Sequence, residues 1–314
     1  MRLPAMGVCR VLVAALLCHT LLAAVAGAGE DRTDLADVGI GHASVGWQQD
    51  DADGDSAAFA LSLPFASKWY FNASVLRSDN LPGIIGATGR IQASSQFAGL
   101  SLDRDGWGGS LSLLRSEDEA VLASRETQAI IRHRGEHFEL DLELADRRHD
   151  VTVSLPNRTI GDSFDSRGVG LQLGLRRNNG LRAYLGWQQY DYDDTLIFDA
   201  TFRALLERAN QYPDLRAQLL RTYNSAVAQQ RQAQGNLARR NGWLGLDVPL
   251  ADHVLVIEHY VSEAEFDGSK YRTDSAILML NLADQWGLDF SAGVNRDEFS
   301  NVIRFVGLTG HVFW

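Results

Sequence analysis

The stretch of sequence that decides the fold class is Phe138-Glu139-Leu140-Asp141-Leu142-Glu143-Leu144. Apolar and acidic residues alternate strictly along it, which is the period of a β-strand with one apolar and one polar face. The same period recurs in residues 169–176 and 181–188. In a soluble sandwich the polar face would contact water outside, whereas in a transmembrane barrel it would line the interior. Alternation alone therefore predicts strands and leaves both architectures open.

The lengths of the connections favour the barrel. Short and long connections alternate along the chain; for example, Asn178-Asn179-Gly180 is short, and the next connection runs from Asp193 to Arg240. Short turns at one end and long loops at the other are typical of outer-membrane barrels. Fifteen strands are clear, and the alternation stays in phase if Arg158 to Asp165 forms another. The sequence therefore predicts an all-β, transmembrane antiparallel β-barrel of 16 strands, with 14 and 12 as alternatives.

The tryptophans are consistent with a membrane barrel. All seven lie at or near the ends of predicted strands, whereas in a soluble core we would expect them in the middle of strands. Amphipathic indole rings form belts at the two membrane interfaces. The predicted interface aromatics are Trp47, Trp69, Trp107, Trp187, Trp243, Trp286 and Trp314.

The first 28 residues are predicted to be a secretory signal peptide. Two arginines accompany an apolar run over residues 11–25, which ends in small residues with an A-x-A pattern. The run is short for a membrane-spanning helix. Both cysteines, Cys9 and Cys18, lie in this segment, so the exported chain carries none. Cleavage also removes two arginines and no acid, which changes the net charge from −11 to −13. Such an acidic chain is not expected to bind nucleic acid.

The C-terminal segment carries a family resemblance. Residues 306–314 read VGLTGHVFW, with Val306, Leu308, Val312 and Trp314 on one face. This segment resembles the last strand of bacterial outer-membrane β-barrels, in which a terminal aromatic residue is recognised by the assembly machinery. The family usually ends in Phe, where this chain has Trp. The resemblance implies a location in the outer membrane of a Gram-negative bacterium. The implied partners are outer-membrane lipid, lipopolysaccharide and the barrel-assembly machinery; a homotrimer is left open.

One long connection differs in character from the rest of the chain. Within residues 195–240 the spacing of Phe198, Phe202 and Leu205 is helical, and the segment has seven Arg and three acidic residues. The predicted organisation is a signal peptide (1–28), barrel (29–194), helical insert (195–240) and barrel (241–314). Three roles are open for the insert. It packs on the barrel rim, folds into the interior as a plug, or binds lipopolysaccharide phosphates or a partner through its arginines.

The polar faces of the predicted strands carry the candidate functional residues. Rings of charged side chains filter ions and polar solutes in pores, although such groups can also serve only to pair with one another. The candidate lumen-lining residues are Arg132, Glu139, Asp141, Glu143, Arg176, Arg182, Asp247 and Asp289.

Metal and enzyme sites are weakly indicated. Asp51, Asp53 and Asp55 place oxygen ligands at alternate positions, as calcium loops do, but the twelve-residue pattern is absent and a hydrated loop is the alternative. No hydrolase, zinc-protease or P-loop motif occurs. His42 and Ser44 share a strand face without an evident carboxylate partner. We therefore expect no cofactor and no enzymatic activity.

These observations predict a porin-like channel for passive diffusion of small hydrophilic solutes, narrowed by the helical insert. The alternative is a non-conducting outer-membrane barrel whose loops bind a partner or lipopolysaccharide.

Overall fold

The computed structural model describes residues 40–80, 91–104, 106–118, 122–155, 158–193, 237–265, 268–297 and 302–314. The regular structure of these residues consists of fourteen β-strands. Within the same ranges, no helix has the length and apolar content needed to cross a bilayer. The strands are β1 (His42–Asp50), β2 (Asp55–Ala66), β3 (Trp69–Asn80), β4 (Ile91–Arg104), β5 (Trp107–Asp118), β6 (Leu122–Arg134), β7 (Phe138–Leu155), β8 (Arg158–Arg176), β9 (Arg182–Tyr192), β10 (Ala238–Leu250), β11 (His253–Ala264), β12 (Lys270–Ala283), β13 (Trp286–Arg296) and β14 (Val302–Phe313).

The strands form one closed antiparallel barrel. Each strand pairs with its neighbours in sequence, and β1 pairs with β14 from His42 opposite Phe313 to Asp50 opposite Phe305. Backbone hydrogen bonds between Gly41 and Trp314 continue this seam beyond the strand ends. Closure pairs both edges of the sheet and leaves no exposed strand edge. The predicted barrel is therefore confirmed.

The predicted count of 16 strands is wrong, because the barrel has 14. The error lies in the middle of the chain, where β7 and β8 are single strands of 18 and 19 residues. Residues 158–165, which the prediction required as a separate strand, are the first part of β8. The apolar face of β7 ends at Leu144, and its next positions are Asp146 and Arg148, while the pairing with β8 continues to Leu155. The loss of apolar alternation therefore marks the end of the apolar belt and not the end of the strand.

The two ends of the barrel differ in their connections as predicted, except that the connection from β7 to β8, at the end of the long loops, spans only residues 156 and 157. Tight turns join β2 to β3, β4 to β5, β10 to β11 and β12 to β13, and β1 begins and β14 ends at the same side. We call this side the short-turn end and the opposite side the long-loop end. Gly106 and Gly180 have φ angles of 79° and 84° at short-turn connections. Glycine adopts this left-handed conformation without a Cβ penalty.

One face of the sheet is apolar and exposed. Leu111, Leu144 and Leu175 have exposed fractions of 58%, 63% and 66%. Most of the exposed apolar side chains alternate with polar ones along their strands, so they belong to one face of the closed sheet; Leu76 and Met279 lie on the other face. A continuous apolar surface of this kind is far larger than a water-soluble monomer normally exposes.

Two predicted segments lie outside the described residues: the signal peptide (1–28) and most of the helical insert. Residues 194–236 are not described, whereas Ala238 already begins β10. The last three positions of the predicted insert, 238–240, therefore belong to the barrel wall.

The closure of the barrel can be tested with one engineered disulfide. A Cβ atom on Gly46 would lie 3.7 Å from the Cβ of Thr309, a separation that suits a disulfide. We expect Gly46→Cys/Thr309→Cys to form an intramolecular disulfide in the folded protein, detected as an electrophoretic shift that a reductant reverses. The control is Ser62→Cys/Thr309→Cys, which joins strands that are not neighbours and should stay reduced. Cross-linking of both pairs, or of neither, would contradict the closed register.

Candidate functional site

The polar face of the strands lies inside the barrel. A contact that skips a strand forms most readily across the concave side of a curved sheet. Glu139 on β7 contacts Arg182 on β9, with 2.9 Å between Oε2 and Nη2. Trp243 on β10 donates a hydrogen bond to Gln172 on β8 at 2.8 Å. Because these residues share the polar face, the polar face is the inner wall and the apolar face is the outer wall.

All eight candidate lumen residues lie on this inner wall. Strand register aligns Arg132 with Asp141, and Arg182 with both Arg176 and Asp247, on the same side of the sheet. Asp289 lies on the same wall, where it contacts the His311 ring. The structure therefore brings the predicted residues to one surface, and their role in filtering solutes stays a prediction.

Ion pairs link five neighbouring strands of the inner wall, β6 to β10. Glu139 is buried and accepts hydrogen bonds from Arg176 Nη2 at 2.7 Å and from Arg182 Nε at 2.9 Å. Arg182 also donates to Asp247 Oδ2 at 3.0 Å, and Arg132 pairs with Asp141 at 3.2 Å. Each charge thus has an opposite partner, which offsets the cost of removing it from water. The pairing also holds the long arginine side chains against the wall.

A second polar network lies nearer the long-loop end, and the sequence analysis missed it. Arg147 pairs with Glu126, and its guanidinium carbon lies 3.8 Å from the centre of the Tyr190 ring. His149 is buried between Ser124 (2.7 Å) and Ser166 (3.0 Å). Extending the alternation of β7 beyond Leu144 would have placed Arg147 and His149 on the inner face. The alternation that indicates these two inward positions continues in the sequence after Leu144, where the apolar face ends.

Two large aromatic side chains lie flat on glycines of the inner wall. A Cβ atom on Gly186 would come within 2.0 Å of the Trp243 indole, and one on Gly245 within 2.1 Å of the Tyr184 ring. Each ring therefore occupies the space that a side chain at the glycine position would fill. This arrangement keeps bulky side chains out of the centre of the barrel.

The neighbouring part of the inner wall, on β3 to β6, carries several serine side chains. A cavity of about 320 Å³ at this wall reaches the second polar network at Arg147 and His149. Its lining includes four leucines and five serines: Leu76, Leu114, Leu122, Leu237, Ser78, Ser94, Ser95, Ser116 and Ser124. The serine side chains are shorter than the arginines and aromatic rings of β7 to β10. The inner wall is thus asymmetric, with the network of ion pairs on β6 to β10 and serines on β3 to β6.

Near the short-turn end, two histidines and an aspartate form a hydrogen-bonded chain across the seam. His311 Nε2 lies 2.8 Å from Asp289 Oδ2, and its Nδ1 lies 3.0 Å from His42 Nε2. The His42 ring also stacks on Phe313, with 4.9 Å between ring centres. Ser44 takes no part in this chain. These hydrogen bonds link the first strand of the barrel to its last two strands, and they do not pair His42 with a serine nucleophile.

At the long-loop end, Glu265 follows β11 and donates its backbone N–H to Leu237 at 2.8 Å. Burial raises the pKa of the Glu265 carboxyl above its ordinary value, and Arg239, at 3.8 Å, opposes this shift. Glu265 therefore takes up a proton at a higher pH than a fully exposed glutamate does.

Six of the seven predicted interface tryptophans face the outer wall, and one does not. Trp107 and Trp286 start strands at the short-turn end, and their exposed fractions are 59% and 39%. Trp187, Trp47, Trp69 and Trp314 also lie on the outer face. Trp243 instead points inward, against Gly186. The prediction for Trp243 therefore needs correction, because a strand-end position does not determine the face.

The acidic loop between β1 and β2 does not assemble a metal site in the structure. In the described parts of the chain, no three His, Cys, Asp or Glu residues are grouped so that they could hold a metal ion. Asp51 accepts a backbone hydrogen bond from Arg304 at 2.8 Å and pairs with its guanidinium at 3.3 Å. Asp53 has a φ of 63°, and the backbone N–H groups of Ala52 and Gly54 bond to Asp50. Asp51 and Asp53 thus belong to a tight loop tied to β14, and Asp55 begins β2.

No family model matches the chain, and no curated protein matches it. Solved structures that it resembles include a KdgM porin, at 11% identity with a TM-score of 0.40, covering 85% of this chain and 97% of the porin. The outer-membrane protein OpdK of Pseudomonas aeruginosa has 10% identity and a TM-score of 0.41, with 88% and 98% covered. OccAB1 of Acinetobacter baumannii has 8% identity and a TM-score of 0.43, with 88% and 95% covered.

The packing of Trp243 on Gly186 predicts a specific coupling. We expect Gly186→Ala to destabilise the barrel by about 1–3 kcal/mol, because the added methyl group overlaps the indole. In a Trp243→Ala background the same change should have a much smaller effect. Denaturant unfolding in detergent micelles, followed by electrophoretic mobility, measures both effects.

The matched control is Gly310→Ala, since no atom lies within 4 Å of a Cβ at that position. It should change the free energy of unfolding by less than about 0.5 kcal/mol. Equal losses for Gly186→Ala in the two backgrounds would show that the indole does not occupy this space.

Proposed function

We propose that the protein is an outer-membrane channel through which small hydrophilic solutes diffuse passively. The observation that supports this most directly is the reversal of normal burial in the barrel. Large apolar side chains such as Leu111 and Leu144 are exposed on the outer wall, while Glu139 and Arg182 lie on the inner wall. This distribution suits a protein with lipid outside and water inside.

The interior is suited to polar solutes and not to apolar ones. Paired carboxylates and guanidinium groups line β6 to β10, and serine hydroxyls lie beside them on β3 to β6. The ion pairs and the glycine-seated aromatic rings hold long side chains against the wall. A solute entering this space would exchange water for hydroxyl and charged groups, which makes its passage weakly selective.

The proposed location is the outer membrane of a Gram-negative bacterium, after cleavage of the predicted signal peptide. In such barrels the short turns face the periplasm and the long loops face the exterior. The short-turn end of this barrel also holds the start of β1 and the end of β14. The assembly machinery is the proposed partner of β14, and the surrounding lipid is the proposed partner of the apolar belt.

The helical insert is proposed to narrow this channel. It connects β9 to β10 at the long-loop end, and Tyr192 at the end of β9 donates a hydrogen bond to the Ala238 carbonyl at 2.9 Å. The insert therefore leaves and re-enters the wall at one place on the rim. Its positive charge is complementary to the acidic groups of the interior.

Conductance measures the proposed function directly. We expect the purified, folded protein to produce stepwise ionic currents in planar lipid bilayers. Deletion of residues 195–236, which spares β10, should increase the conductance of each step if the insert narrows the opening. A barrel that shows a heat-modifiable electrophoretic shift but conducts in neither form would contradict the channel and favour a non-conducting, partner-binding barrel.

A charge variant separates current through the interior from leakage around the protein. Glu143 and Glu258 line the inner wall, where Gln188 and Tyr184 donate hydrogen bonds to them. Glu143→Gln/Glu258→Gln should shift the reversal potential in a salt gradient toward anion preference. The control, Glu263→Gln/Asp274→Asn, removes two carboxylates from the outer face and should leave the reversal potential unchanged. Equal responses would show that ions do not cross inside the barrel.

A further inference from the structure

Three arginines lie side by side on the outer wall near the long-loop end. Arg115 on β5 is in register with Arg125 on β6, which is in register with Arg148 on β7. Neighbouring strands lie about 4.8 Å apart, so the three residues form a row about 10 Å wide. All three are exposed. We call these residues the arginine row.

The row places like charges directly opposite one another, which is destabilising unless an anion lies between them. The nearby carboxylates neutralise only part of the positive charge of the row. Glu117 pairs with Arg115 from the same strand, and Asp150 lies 4.0 Å from Arg148. Among the described residues, neither an ion pair nor a side-chain hydrogen bond holds Arg125. The central guanidinium is therefore the one most available to an external anion.

The row adjoins the apolar belt. A groove on the outer wall runs from Val75, Ala98 and Leu113 to the three arginines. Leu113 is 62% exposed, and Arg115 is the next outward-facing residue on its strand. The groove thus offers apolar contacts at one end and three guanidinium groups at the other, where Asp146, the partner of Arg167, also lines it. Its shape and charge match an amphipathic molecule with an anionic head.

We infer that the arginine row binds the phosphate groups of a lipid whose acyl chains lie on the apolar belt. This inference goes beyond transport, and it rests on the proposed membrane location. Guanidinium groups donate paired hydrogen bonds to phosphate oxygens, which suits a row of three at the level of lipid headgroups. The long-loop end faces the outer leaflet in the proposed orientation, so the lipid is lipopolysaccharide. The predicted insert is not needed for this contact.

The test is a titration of the folded, full-length protein in detergent micelles with purified lipopolysaccharide. We expect Arg115→Gln/Arg125→Gln/Arg148→Gln to weaken binding at least about tenfold, which corresponds to about 1.4 kcal/mol. Arg125→Gln alone should account for most of this loss and leaves the rest of the row intact. A heat-modifiable electrophoretic shift verifies that each variant is folded.

The control is Arg296→Gln/Arg304→Gln. These arginines also lie on the outer face at the long-loop end, but they pair with Asp274 and Asp51 respectively, and neither lines the groove. The control should weaken binding less than about twofold, since its arginines are paired and lie outside the groove. Equal losses in the control and in the triple variant, or no loss in the triple variant, would overturn the assignment.

Two further arms identify the ligand. Dephosphorylated lipopolysaccharide should bind the native protein as weakly as intact lipopolysaccharide binds the triple variant. Inorganic phosphate at the same phosphate concentration should not compete. Competition by inorganic phosphate would mean a free-anion site, which would overturn the lipid assignment. Because the titration involves no current, its result is independent of whether the barrel conducts.

Discussion

The backbone pairing of β1 with β14 is the interaction on which the rest of the structure depends. Without it the sheet would expose two rows of unpaired N–H and C=O groups, which neither lipid nor a dry interior could satisfy. With it, every strand of the described barrel has two partners, and the sheet has an inside and an outside. Side chains at alternate positions of each strand therefore face two different environments, the apolar surroundings of the outer wall and the polar interior. Each functional feature of the molecule follows from that difference.

The two walls meet opposite requirements. The outer wall needs apolar contact, which leucine, valine and tryptophan side chains supply. The inner wall carries charges, and it stabilises them by pairing Glu139 with two arginines and Arg132 with Asp141. The same pairing keeps those side chains short of the barrel axis, and Gly186 and Gly245 do so for aromatic rings. The contacts that stabilise the inner wall therefore also hold its long side chains against that wall. Where the outer wall rises above the apolar belt, it becomes charged, and the arginine row lies at this boundary.

Period-2 alternation predicted the strands and placed all eight charged residues on one face, because the face of a residue depends only on parity along its strand. The alternating lengths of the connections were needed to choose the barrel, in which that face is the inner one. The prediction failed where the outward residues of a strand changed from apolar to charged, and where the face of a residue was inferred from its distance to a strand end. On β7 the outward-facing residues change from apolar to charged between Leu144 and Asp146, although the strand continues. The apolar pattern therefore predicts too many strands in the region that β7 and β8 occupy. The position of Trp243 near a strand end predicts a place at the membrane interface, although its parity along β10 places it inside. Contacts between strands distant in sequence, such as Arg147 with Tyr190 and His311 with His42, depend on closure and register, which composition and spacing do not encode.

Quenching of single tryptophans by brominated lipids tests the division between the two walls most directly. Proteins that retain only Trp107, only Trp187 or only Trp243 would be folded into vesicles of brominated phosphatidylcholine. The outward-facing Trp107 and Trp187 should lose most of their fluorescence, whereas Trp243, hydrogen-bonded to Gln172 inside the barrel, should lose little. Strong quenching of Trp243, or none of Trp107 and Trp187, would contradict a barrel with lipid outside and a polar interior.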